Sequence, residues 1–168
     1  MKNLRLLTAA AIMILAVTPA LATAKARAKS PVAKSPVALA TSIAYRYWGA
    51  VPCQGNVTIL VRQPVPATLG DSDAWVTFGS SLGANNLAAP ATSYTKCTIG
   101  LGSARWPTTG SVRQDWDMLC MTITHEVGHL LGHVHDTTPR SVMNPVFNGY
   151  TSEPRLCRTD RPSGSPLP

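Results

Sequence analysis

No apolar run in this 168-residue chain is long enough to cross a bilayer. A spanning helix needs about 20 residues, and the longest candidate, Leu6–Val17, has twelve. A basic patch is missing from the body of the chain as well. The formal net charge is +7, but Lys2, Arg5, Lys25, Arg27, Lys29 and Lys34 all precede residue 38; beyond it nine basic residues face eight acidic ones, leaving +1. A nucleic-acid surface needs clustered Lys and Arg within the folded part, so that class is excluded. Cysteines at C-x-x-C spacing are absent too, which argues against a Cys-type zinc site.

What stands at the front is a charged start, "MKNLR", then Leu6–Val17, then "TPALATA". A basic start, a short apolar stretch and an Ala-x-Ala site read as a secretory signal peptide, residues 1–24, with cleavage after Ala22 or Ala24. Residues 25–37 follow, with "AKSPV" at 28–32 and again at 33–37. Ala, Lys, Ser and Pro cannot build a core, so this is a solvated linker. Its positive charge suits contact with anionic envelope polymers. In an oxidising compartment Cys53, Cys97, Cys120 and Cys157 imply two disulfides, with three possible connectivities.

From residue 38 the pattern changes. Leu39, Ile43 and Tyr47 recur every four residues, with Ala40, Ala44 and Trp48 one step behind, which predicts a helix ended by Gly49 and Pro52. "NVTILV" (56–61), "AWVTF" (74–78) and "KCTIGLG" (96–102) read as strands, and a second helix is expected from about Gln114 through Leu131. Six prolines from Pro139 onward forbid any long helix thereafter. The Asn56-Val57-Thr58 sequon opens a strand and is read as incidental. This is an α+β domain over 38–160 with a tail at 161–168, large enough to bury about two-thirds of its surface.

All four histidines fall within "HEVGHLLGHVHD", residues 125–136. His125 and His129 are four apart, on one helical face and about 6 Å apart along the axis, so both can point at one cation. Glu126 beside the first makes H-E-x-x-H, in which the glutamate is a general base rather than a ligand. Zinc lowers the pKa of a bound water to about 7; a carboxylate next to it can take the proton and later pass it to a leaving amine. Catalytic zinc keeps three protein ligands. Gly132 can turn the chain in a left-handed conformation, after which His133 and His135 point to the same side of an extended segment. Spacing alone leaves either as the third ligand.

The run also resembles the metzincin signature H-E-x-x-H-x-x-G-x-x-H at every required position, and "SVMNP" (141–145) resembles the Met-turn. With the short interval between them and the segment from Cys97 to Cys157, the chain looks like the short secreted matrixin-like proteases of bacteria, over about residues 95–157. The resemblance implies a metzincin-like (zincin) fold: a twisted mixed β-sheet packed on an active-site helix, with a small irregular C-terminal subdomain. It implies His125, His129 and His135 as zinc ligands, Glu126 as catalytic base, and Met143 packed beneath the metal. Substrate would lie extended along an antiparallel edge strand within 79–94, with residues 144–150 walling the pocket beyond the scissile bond.

The chain departs from that pattern in places. Asp136 replaces the serine usual after the third histidine, either orienting a ligand or serving a turn. Pro145 stands where some metzincins carry a tyrosine ligand, and Phe147 where matrixins often have tyrosine. No cysteine switch precedes the domain, no acidic loops mark structural calcium, and the third helix is reduced to "SEPRLC". Stability then rests on the disulfides, for which the favoured pairing is Cys97–Cys120 and Cys53–Cys157. Glu153 as a gluzincin-type ligand is the lesser reading; Trp106 and Trp116 are read as packing. The expectation is a secreted, monomeric zinc endopeptidase acting on peptides or proteins. The alternative is a non-catalytic exported zinc-binding module derived from one.

Overall fold

In the computed structural model, residues 35–70, 72–79, 81–82, 94–103, 115–146 and 153–162 are described. The proposed signal peptide, nearly all of the linker, Trp106 and Phe147 lie outside them. Helix α1 (Pro36–Trp48) begins at Ser35, whose hydroxyl accepts the Ala38 amide at 3.2 Å, satisfying one donor that a helix start leaves orphaned. Pro36 follows where a missing N–H costs nothing. The end of the second "AKSPV" repeat is therefore helix rather than linker. Composition could not tell the two apart, because Ser-Pro serves both. Ala40, Ile43 and Ala44 are buried, and Gly49 ends the helix at φ +64°.

Four strands form one mixed sheet in the order β1-β4-β2-β3: β1 (Val57–Gln63), β2 (Ala74–Phe78), β3 (Ser81–Leu82) and β4 (Cys97–Gly102). The central β4 runs parallel to β1 and antiparallel to β2, while β2 pairs antiparallel with β3. Their alternating apolar residues place Ile99 between Ile59 and Val76. Gly100 is needed for packing: a Cβ there would lie 2.2 Å from the Trp75 ring, the close approach that glycine permits within a strand.

Helix α2 (Trp116–Leu130) packs on α1, on the sheet and on the short α3 (Arg155–Thr159). Leu119, Ile123, Val127 and Leu130 recur at helical spacing and enter one core with Ile43, Val76, Ile99 and Leu101. Arg161, the first residue of the expected tail, forms an ion pair with Asp117 at the start of α2.

The disulfides are Cys53–Cys97 and Cys120–Cys157, with Cα–Cα distances of 6.0 and 5.8 Å, which corrects the favoured pairing. The parallel register sets Val57 beside Cys97, and the Cys97 amide donates to the Asn56 carbonyl at 3.0 Å. The stretch leading into β1 thus meets the start of β4, and Cys53 reaches Cys97. Cys120 faces α3 instead. Strand neighbours decided the pairing, and they are not visible in cysteine spacing. The loops closed span 44 and 37 residues, each worth about 4 kcal/mol in the chain-entropy account.

Candidate metal centre at the end of α2

The last turns of α2 carry polar side chains on a buried face. His125, Glu126 and His129 are only 5–6% exposed. The helix closes where the Leu131 amide donates to Val127 and Gly128 carbonyls, and Gly132 turns the chain at φ +93°, as its left-handed role predicts. The turn returns His135 to the helix. The Nε2 atoms of His125 and His129 are 3.0 Å apart, and those of His129 and His135 are 3.1 Å apart.

Backbone carbonyls fix two of these rings. His125 Nδ1 lies 2.8 Å from the Val142 oxygen, and His129 Nδ1 lies 2.8 Å from the His133 oxygen. A carbonyl only accepts, so each Nδ1 carries the hydrogen and each neutral ring turns the Nε2 lone pair towards its neighbours. Lone pairs facing one another at this distance call for a cation between them. A tetrahedral zinc with bonds of 2.0–2.1 Å would separate its ligand nitrogens by about 3.3 Å, so the donor set fits with little adjustment. Burial, then the neighbouring His129, pushes His125 down to about 4. Burial is also the main cause lowering His129 and His135. All three are neutral near pH 7, the form that binds metal.

Beneath them lies the turn at 141–145. The Asn144 amide donates to the Ser141 carbonyl at 3.1 Å and the Met143 amide to the Ser141 hydroxyl at 3.2 Å. Met143 is buried against α2: a Cβ on Gly128 would lie 2.5 Å from its sulfur and 2.7 Å from Trp48 Cζ2. Gly128 is thus required by close approach. The sequence did carry that signal, since a glycine within a helix costs about 1 kcal/mol against alanine. Glu126 Oε2 is buried without a hydrogen-bond partner among the described residues, and burial pushes the carboxyl up to about 8. Such an atom invites a functional explanation.

The sequence model of the matrixin family matches residues 67–163, more than half of the chain. The chain belongs to the matrixin family. No curated protein and no solved structure matches it. Matrixin membership and the three-histidine cluster together support a zinc metalloprotease.

Around the matrixin signature the remaining candidates separate. His133 is not among the grouped histidines; its ring stacks on Trp48 with centroids 4.2 Å apart, and only its carbonyl serves the site. Asp136 accepts the Thr138 amide at 2.9 Å, and its own amide donates to the Met143 carbonyl at 3.0 Å. It is a turn residue tying the segment after His135 to the turn below. Glu153 faces Asp117 near the start of α2, away from the histidines, and Trp116 is buried with its indole donating to the Cys157 carbonyl at 2.8 Å. Trp48 was missed as a neighbour of the site. It precedes the matched span, and nothing in its local sequence tells which helix it meets.

Proposed function

We propose that this chain is a secreted zinc endopeptidase in which His125, His129 and His135 hold the metal and Glu126 is the catalytic base. The observation that carries the reading is the convergence of three Nε2 atoms, two of them on rings whose Nδ1 hydrogens are committed to backbone carbonyls. Zinc bound there supplies Lewis acidity towards a carbonyl oxygen and lowers the pKa of a water to about 7. The histidines bind as neutral rings, held in one tautomer. Glu126 takes the proton of the attacking water and delivers it to the amine nitrogen as the peptide bond breaks. Its buried Oε2, which has no hydrogen-bond partner among the described residues, is the acceptor left for that water.

Substrate would lie extended beside β3, the antiparallel edge strand that falls within 79–94, and hydrogen-bond through its backbone. Met143 would support the metal site from below. Two disulfides support export, together with the signal-peptide pattern of residues 1–24. The test is cleavage of an unfolded protein by the disulfide-bonded chain, comparing wild type with Glu126→Ala and measuring zinc in both. Cleavage by wild type, lost in the variant while zinc stays bound, is expected. Zinc in both without cleavage of any of several substrates would favour the non-catalytic binding module.

A further inference from the structure

Trp48 ends α1, and its side chain touches the metal centre's supports on three sides. Its indole N–H donates to the Thr124 carbonyl at 2.8 Å, one residue before His125. Its benzo edge lies against the Gly128 backbone, where a Cβ would come within 2.7 Å. Its ring face stacks on His133 with planes 24° apart. The His133 amide is held by the Gly128 carbonyl at 2.9 Å, so stacking holds the other end of a residue already anchored through its backbone. The carbonyl thus fixed is the one facing His129 Nδ1.

We propose that Trp48 is a positioning residue for the metal site, clamping His133 so that its carbonyl sets the ring orientation and tautomer of His129. The proposal rests on the reading of the three histidines as zinc ligands. Partners that orient a ligand histidine commonly change metal affinity about 10–100-fold when lost. Trp48 lies before the matched span of residues 67–163, so α1 contributes to the centre something that the signature itself does not.

The test measures zinc affinity of the disulfide-bonded chain by competition with a chelator, and the visible spectrum with Co2+ in place of zinc. Trp48→Leu should weaken zinc binding about 10–100-fold and shift the cobalt bands. Trp48→Phe, which keeps a ring to stack, should restore affinity to within about threefold of wild type. His133→Ala, which keeps the carbonyl but loses the clamp, should fall between them. Trp116→Phe is the control: it loses the bond to Cys157 at the other end of α2, and should cost thermal stability without changing affinity or spectrum. A folded Trp48→Leu with wild-type affinity and spectrum overturns the proposal. Should that variant fail to fold, His133→Ala at wild-type affinity and spectrum overturns it instead. A wild type that binds neither zinc nor cobalt removes the metal-site reading itself, and this proposal with it.

Discussion

The two ends of α2 are built on opposite principles. At the start, Trp116 bonds the Cys157 carbonyl, Asp117 pairs with Arg161, and Cys120 is bonded covalently to Cys157. Those groups satisfy one another, although Glu153 beside them buries one oxygen with no partner among the described residues. At the finish, three imidazoles turn their Nε2 atoms together and Glu126 buries an oxygen that no described residue meets. One end is closed by the chain itself and the other is prepared for something the chain does not contain. Stability and chemistry share one helix but not one turn of it.

The sharpest way to break that division is to open the closed end. Replacing Cys120 and Cys157 together by serine should cost about 4 kcal/mol in denaturant unfolding, while zinc affinity of the molecules still folded stays near wild type. An equal loss of zinc would mean that the ends are coupled.

The next effect belongs to the open end and to pH. His125 sits at about 4, against an ordinary 6.5. Between those values it binds fewer protons folded than unfolded, so its contribution is complete above pH 6.5 and is lost as pH falls towards 4. The loss amounts to at most about 3 kcal/mol. Glu126 acts with opposite sign: raised from 4.5 to about 8, it favours the fold while protonated and loses that contribution as pH rises through 8. In urea unfolding followed across pH, the metal-free Glu126→Gln protein should keep the acid loss and lose the share of the decline between pH 4.5 and 8 that Glu126 contributes. Metal-free wild type should weaken more than that variant as pH rises from about 4.5 to 8.

Gly128→Ala should destabilise by about 1–3 kcal/mol, as overpacking does, because all three atoms facing the new methyl belong to large side chains, those of Met143 and Trp48. Thermal unfolding would read this directly. The smallest effect expected is at Glu153, which burial and the facing Asp117 carboxyl raise to about 7. It favours the fold when protonated, so stability declines as pH rises from 4.5 through 7, and Glu153→Gln should flatten that decline without altering cleavage.

The same division explains what could be read from the sequence. His125, Glu126, His129, Gly132 and His135 announced the open end because a metal site needs fixed residue types at helical spacing. Four-residue spacing located α1, and β-rich or alternating runs located β1, β2 and β4, since each needs only its own neighbours. Contacts between distant segments were less legible. Which cysteines meet depends on β1 lying parallel to β4, a relation between segments about forty residues apart. Trp48 depends likewise on α1 resting against α2, and Ser35 on whether a Ser-Pro pair ends a linker or starts a helix.

The register of Cys97 has a kinetic side. Parallel β1 and β4 can pair only after a long excursion of chain, and such non-local pairing is a slow part of folding. The Cys53–Cys97 bridge sits four residues ahead of Val57, whose partner is Cys97 itself. Oxidation at that point holds the strand starts together and leaves only a local zippering. Refolding from the reduced chain should then follow the oxidant, whereas refolding with the bridge intact should be fast.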